Sequence, residues 1–252
     1  MASGEHHSPT DQFLIKEFIN FEAAGMDLSF TNSALWMLIA ILTSTLFMSI
    51  AMRKRELVPS RMQMFAEMIY EFNAKMVREN IGNKGRIYFP FIFTVFMFVL
   101  MGNVLGLLPY SFTYTSHLAV TGALALVVFF AVIAFGIINH GFKFFSLFVP
   151  DAPWWILPLI IPIELISFFV RPITLSVRLF ANMMAGHIML KIIAGFAVAA
   201  SGMATWGFLV GFGPAFIGTI MMMFELLVAL IQAYVFAILS CVYLKDTVEL
   251  HH

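Results

Sequence analysis

From residue 153 to residue 200 the chain reads PWWILPLIIPIELISFFVRPITLSVRLFANMMAGHIMLKIIAGFAVAA, and its formal charges there are Glu164, Arg171, Arg178 and Lys191 alone. As one helix this stretch would be roughly 70 Å long, over twice the ~30 Å apolar thickness of a bilayer. It is either two spans folded at Arg171–Pro172 or one steeply tilted helix; Pro172 permits a kink without deciding between them. The whole chain is 61% hydrophobic and 11% charged, whereas soluble domains carry about 25% charged residues. An ordinary water-soluble globule is thereby excluded. The apolar runs are continuous and do not alternate every second residue, so helices are expected and a β-barrel is not.

The expected fold class is all-α: one polytopic membrane domain over residues 1–252, with an amphipathic surface helix. Residues 1–27 form a polar, acidic segment without the character of a signal or transit peptide. Residues 28–52 are uncharged and end at Arg53-Lys54-Arg55, which predicts the first span. Ser60 with Gln63 three residues later is a capping box opening a helix over 60–80. Phe65, Met68, Ile69, Phe72 and Met76 recur at helical spacing, with Glu67, Glu71, Lys75 and Arg78 opposite, as in a helix lying on a membrane surface. Spans over 87–107 and 118–138 follow, then a polar connection with His140, Lys143 and Asp151. The long stretch 153–200 and a last helix assigned to 206–244 complete the chain, with a Gly-rich connection that includes GFGP.

Basic residues set orientation. Arg53, Lys54, Arg55, Arg61, Lys75, Arg78, Lys84 and Arg86 cluster between the first two spans, and Lys143 and Lys245 flank later ones. The stretches near 108–116 and 201–213 hold no Lys or Arg. The N-terminus is therefore expected outside and the C-terminus in the cytoplasm. The formal net charge of zero suggests no nucleic-acid partner.

This topology leaves Arg171, Arg178, Lys191, Glu164 and Glu225 at membrane depth, where charges are costly and tend to face an interior or a wet pathway. Glu164, Arg171 and Arg178 are spaced by seven and form one stripe, which Asn182 continues. His187 points to the opposite side of an ideal helix. Glu225 and Gln232, also seven apart, share a face of the last helix. Plain structural readings stand beside each: Glu164 pairing with Arg171 or with headgroups, Lys191 snorkelling, Gln232 hydrogen bonding between helices, Arg178 in an internal ion pair. Histidine and carboxylate together can pass a proton near neutral pH. A polar seam with His187, Glu225 and one permanent cation points to proton translocation. A proton-coupled secondary transporter also holds charges at this depth, at broken helices in repeated halves, but no internal repeat is visible. No phosphate-binding loop, metal-ligand cluster or nucleophile–base arrangement is present, and no cofactor is implied.

PITLSVRLFANMMAGHIML resembles the signature of subunit a of F-type ATP synthases, as do GNVLGLLPYSFTYTSHL, PIELISFFVRP and FELLVALIQAYVFAILSCVYLKD, together covering roughly residues 85–246. The resemblance implies the stator half of a proton motor, not itself catalytic for ATP chemistry, with 153–200 and 206–244 as a long, steeply tilted C-terminal helix hairpin facing the rotor ring. It abuts a ring of c subunits bearing membrane-buried carboxylates, is held by peripheral-stalk b-type subunits, and lies among membrane lipids. The family's essential arginine falls on Arg178, and its proton-pathway positions on Asn182, His187, Glu225, Gln232 and Glu164. Histidine at 187 with glutamate at 225 is the exchanged arrangement of the alphaproteobacterial and mitochondrial branch. A bacterial inner or photosynthetic membrane is expected.

Overall fold

A computed structural model describes residues 13–15, 17–19, 22–23, 26–27, 29–53, 59–108, 111–141, 143–144, 155–201 and 207–248. Among these residues the chain is almost wholly helical, and five helices are long and apolar enough to cross a membrane. The residues expected to form the outermost N-terminal segment, 1–12, and Asp151 of the polar connection lie outside the described part.

The segment ahead of the first helix adds two small ribbons to an otherwise helical plan. Strands β1 (Glu17–Ile19) and β4 (Phe30–Thr31) pair antiparallel, as do β2 (Glu22–Ala23) and β3 (Met26–Asp27). Helix α1 (Asn32–Ala51) starts where the Thr31 hydroxyl accepts the Ala34 amide, and Asn32 Nδ2 donates to the Leu14 carbonyl, tying the ribbon to the helix.

Helix α2 (Arg61–Ile81) begins with Ser60 Oγ accepting from Gln63 N. Only half of the expected capping box forms: the Gln63 amide donates forward to Glu67 Oε1 at 2.8 Å instead of turning back. The helix ends at Gly82, whose φ of 74° suits a residue without Cβ. Ala66, Asn73, Met76, Val77 and Ile81 are buried, while Phe65, Met68 and Phe72 remain about half exposed. The helix thus packs one side inward and keeps an apolar side outside. A 3-10 turn (Gly82–Ile87) leads into α3 (Phe89–Gly106), with Pro90 in the first turn where its missing N–H costs nothing.

Helix α3 ends on hydroxyls: Ser111 Oγ and Thr113 Oγ1 both donate to the Gly106 carbonyl. A buried 3-10 turn (Tyr114–Ser116) passes to α4 (Leu118–His140). Helix α5 (Leu157–Ser201) is a single 45-residue helix, with Pro162 and Pro172 inside it. Of the two alternatives for this stretch, the unbroken helix is the one that forms. Helix α6 (Gly207–Val248) contains Gly211–Pro214, which sequence reading had placed in a connection. Glycine and proline break helices in water but are tolerated in membranes, where an open backbone has nowhere better to go.

The core is organised around α6, which packs along α5 and also touches α2, α3 and α4. Ala229, Ala233, Ala237 and Cys241 recur every four residues and are fully buried. Such a small-residue edge lets neighbouring backbones come close, the main source of attraction between helices in lipid. Leu175, Leu179 and Met183 of α5, at the same spacing, and Ile92 and Val99 of α3 pack in this core.

Candidate functional site: a polar seam between the long helices

Asn182 and His187 of α5 each face a polar residue of α6. Asn182 Nδ2 donates to Gln232 Oε1 at 3.0 Å. One and a half turns further, His187 Nε2 lies 3.8 Å from Glu225 Oε1. Glu225 and Gln232 are seven apart, two turns of α6, which is why they share a face and meet α5 at two successive levels. Asn182, Gly186, Glu225 and Gln232 border an open groove of about 490 Å³ with Met189, Met221 and Phe224 on its apolar walls.

Gly186 is what permits the upper contact. A Cβ built there would stand 2.6 Å from Glu225 Oε1 and 2.8 Å from its Cδ. Any side chain at 186 would push the carboxyl away from the imidazole beside it.

The polar groups around this level are buried and incompletely bonded. Both carboxyl oxygens of Glu225 and Gln232 Nε2 find no hydrogen-bond partner among the described residues. Behind α5, Thr113 Oγ1 lies 2.9 Å from His187 Nε2. With its single proton donated to the Gly106 carbonyl at 3.1 Å, that hydroxyl accepts from His187, placing the imidazole proton on Nε2. The turn beyond adds Thr115, Ser116 and His117, with Thr115 Oγ1 and His117 Nε2 also buried and unbonded. Burial holds the His117 imidazole below its usual pKa and pushes the Tyr114 phenol well above its own. Phe13 sets its ring edge-on to both His117 and His187, at 6.5 and 6.4 Å between centroids.

The charges of the α5 stripe separate. Arg171 does not pair with Glu164: its Nη1 contacts Asp246 Oδ2 at 2.6 Å, and its guanidinium sits 5.3 Å from the centre of the Tyr243 ring. Helical spacing made Glu164 a candidate, but an acid from α6 reaches Arg171 first, and no local sequence signal marks a pair 75 residues apart. Glu164 is half-buried and makes no ion pair among the described residues. Arg178 is exposed on the outer side of α5 and likewise has neither ion pair nor hydrogen bond among them. Next to it on α5, Ile173 and Val177 are exposed, and α6 also carries exposed apolar side chains, among them Leu227, Leu230 and Ile231. Lys191 is exposed. Sequence reasoning missed Asp246, Thr113 and Phe13. For Thr113 a signal existed: TYTS is a polar run between two spans with no basic residue to anchor it.

The architecture is thus that of a multi-pass helical membrane protein whose interior sets a histidine facing a glutamate and whose outer side carries an arginine without an ion pair among the described residues, as suits the class of ion-translocating membrane subunits. Residues 34–245 match the family model described as ATP synthase A chain. The chain is 50% identical over 246 residues to ATP synthase subunit a of Rhodospirillum rubrum, covering 97% of this chain and all of that one. It is 48% identical over 247 residues to the Agrobacterium fabrum protein of that name, and 49% over 255 residues to that of Maricaulis maris, with at least 97% of every chain covered. The chain belongs to the ATP synthase A chain family, and is the proton-translocating stator subunit within the ATP synthase complex.

Proposed function

We propose that Arg178 is the cation that meets the rotor and keeps two offset half-channels apart, and that Asn182, His187, Glu225 and Gln232 line a proton route to it, with Glu164 on the remaining side. The observation that carries this reading is the contrast on one helix. An arginine in a bilayer costs about 2.5–3.5 kcal/mol even by the mildest scales, yet Arg178 is exposed in an apolar surface without an ion pair among the described residues. The exposed apolar side of α5 and α6 is then the surface that abuts a ring of c subunits, whose buried carboxylates supply the missing counter-charge one after another. A guanidinium neither gives up nor takes a proton at working pH, so it attracts each arriving carboxylate and blocks direct passage of protons beside it.

His187 and Glu225 act on protons moving between the outer solvent and a ring carboxylate. A proton taken up by His187 from the outer side makes the imidazolium, which passes one proton on to the Glu225 carboxylate 3.8 Å away and returns to neutral imidazole. The subunit lies in a bacterial inner or photosynthetic membrane with its N-terminus periplasmic and its C-terminus cytoplasmic, held by peripheral-stalk b-type subunits. The test is Arg178→Ala in inverted membrane vesicles containing the whole complex. ATP-driven proton pumping is lost while the complex still assembles, and passive proton leakage through its membrane part rises. Undiminished coupled pumping in Arg178→Ala vesicles would refute the role.

A further inference from the structure

At the opposite end of α3 from Thr113, about 25 Å away along the helix, lies a second open cavity of about 450 Å³ that the proton pathway does not use. It is bordered by Tyr70, Ala74, Val77 and Arg78 of α2, by Gly82, Asn83 and Arg86 of the 3-10 turn, and by Phe89. Its chemistry is divided. Ala74, Val77 and the edge-on pair Tyr70–Phe89, 4.8 Å between ring centroids, make an apolar floor. Arg78, Asn83 and Arg86 make a rim with two guanidiniums and an amide.

Among the described residues no Asp or Glu borders the cavity. Neither arginine has an ion pair among the described residues; the nearby Glu79 is engaged with Lys75 at 3.9 Å, and Lys84, exposed in the same turn, adds another positive charge. Arg78 alone needs no ligand, because a cation in the last turn of α2 already suits the helix dipole. Arg86 is brought to the same rim by the turn that starts at Gly82, so two guanidiniums converge on one cavity.

We propose that this cavity binds the headgroup of an anionic phospholipid: the phosphate on Arg78 and Arg86, the glycerol and upper acyl chain on the floor between Tyr70 and Phe89. Guanidiniums match phosphate oxygens in fork geometry, and basic pockets at the polar edge of helical membrane proteins hold anionic headgroups. The apolar floor decides between sources of phosphate. An inorganic ion gains nothing from two aromatic rings, whereas a lipid buries part of its glycerol backbone and chain there. The bound lipid fastens α2 and the 3-10 turn to the start of α3 at the membrane surface.

The experiment uses the purified intact complex with photoactivatable phosphatidylglycerol and phosphatidylcholine probes of identical chains, followed by mapping of labelled peptides. The phosphatidylglycerol probe labels the segment 70–89 several-fold more than the phosphatidylcholine probe. Removing both charges, in Arg78→Gln with Arg86→Gln, weakens its binding by about fivefold for each arginine. Arg61→Gln, on the same helix but away from the cavity, leaves labelling unchanged, and Arg78→Lys with Arg86→Lys retains most of it. Equal labelling by the two lipids overturns the proposal. So does full displacement by millimolar inorganic phosphate, which would identify an ion site, or a cross-link from this segment to an acidic protein helix with no lipid labelling. Complex yield and helical circular dichroism of every variant separate loss of binding from loss of fold.

Discussion

Replacing Gly186 by alanine adds one methyl group at the narrowest point of the seam. The new Cβ would lie 2.6 Å from Glu225 Oε1, 2.8 Å from Cδ and 3.1 Å from Cγ. Non-bonded atoms settle at about 3.5 Å, so the carboxyl must retreat by just under ~1 Å. Glu225 is 5% exposed and anchored on a helix whose next turn, Ala229, is fully buried, so the side chain rather than the backbone moves. The imidazole–carboxyl separation, 3.8 Å in the native arrangement, widens accordingly. Overpacking of one methyl costs about 1–3 kcal/mol, partly offset by the ~1 kcal/mol by which alanine outranks glycine inside a helix. The variant therefore folds and assembles. A misplacement near 1 Å of a reacting group can cost about 100-fold, and ATP-driven proton pumping in vesicles, normalised to complex content, should fall roughly 10- to 100-fold. Glu225→Asp, which withdraws the carboxyl by one methylene, vacates the space the methyl needs. The double variant Gly186→Ala with Glu225→Asp should then pump no worse than Glu225→Asp alone, a non-additive cycle. Wild-type pumping in Gly186→Ala, or losses that simply multiply in the double variant, would refute the contact.

Exchanging the pair, His187→Glu with Glu225→His, keeps both residue types at the seam and should pump better than at least one single substitution; vesicle pumping in all four forms checks it. Thr113→Val removes the acceptor for His187 Nε2–H without changing shape much, and should slow pumping several-fold while Thr113→Ser does not. Arg171→Ala leaves Asp246 unpaired. Because both side chains are about a third exposed, the expected loss is only about 1 kcal/mol, seen as a lower unfolding temperature, with pumping retained and Arg171→Ala with Asp246→Ala no worse than either single change. Cysteine at Lys84 should react with an impermeant reagent only from the cytoplasmic side and cysteine at the exposed Ile15 only from the other; reaction of both from one side would overturn the orientation.

The helices were legible because membrane segments announce themselves by uncharged length, and α1, α3 and α4 need no tertiary information to be seen. Boundaries were harder where composition and environment disagree. Gly211–Pro214 reads as a loop in any aqueous vocabulary, yet it is helical here. Of the seam, Asn182 with Gln232 and His187 with Glu225 were readable as residue types at helical spacing, because a polar group in an apolar run is conspicuous. Their partners were not. Thr113 reaches His187 from the turn before α4, just as Asp246 reaches Arg171 from the end of α6, and no periodicity within α5 encodes which neighbour arrives beside it.

Arg171 and Arg178 show why spacing alone cannot assign function. They are two turns apart on one face of α5, chemically identical, and each as costly to place in a bilayer as the other. What separates them is the far end of α6. Its Tyr243 and Asp246 lie three residues apart, one helical turn, and together they enclose the first guanidinium with a ring face and a carboxylate. That cation is neutralised within the chain and has no charge left to offer a partner. About four turns back along α6 from Asp246, Gln232 has its amide oxygen already taken by Asn182, which lies one turn beyond Arg178 on α5. It offers no carboxylate, and Arg178 stays uncompensated at the surface. Arg171 is neutralised within the chain, whereas Arg178 has no ion pair among the described residues and lies on an exposed, largely apolar side of α5. On the proposed reading, the counter-charge that meets it comes from another molecule inside the membrane.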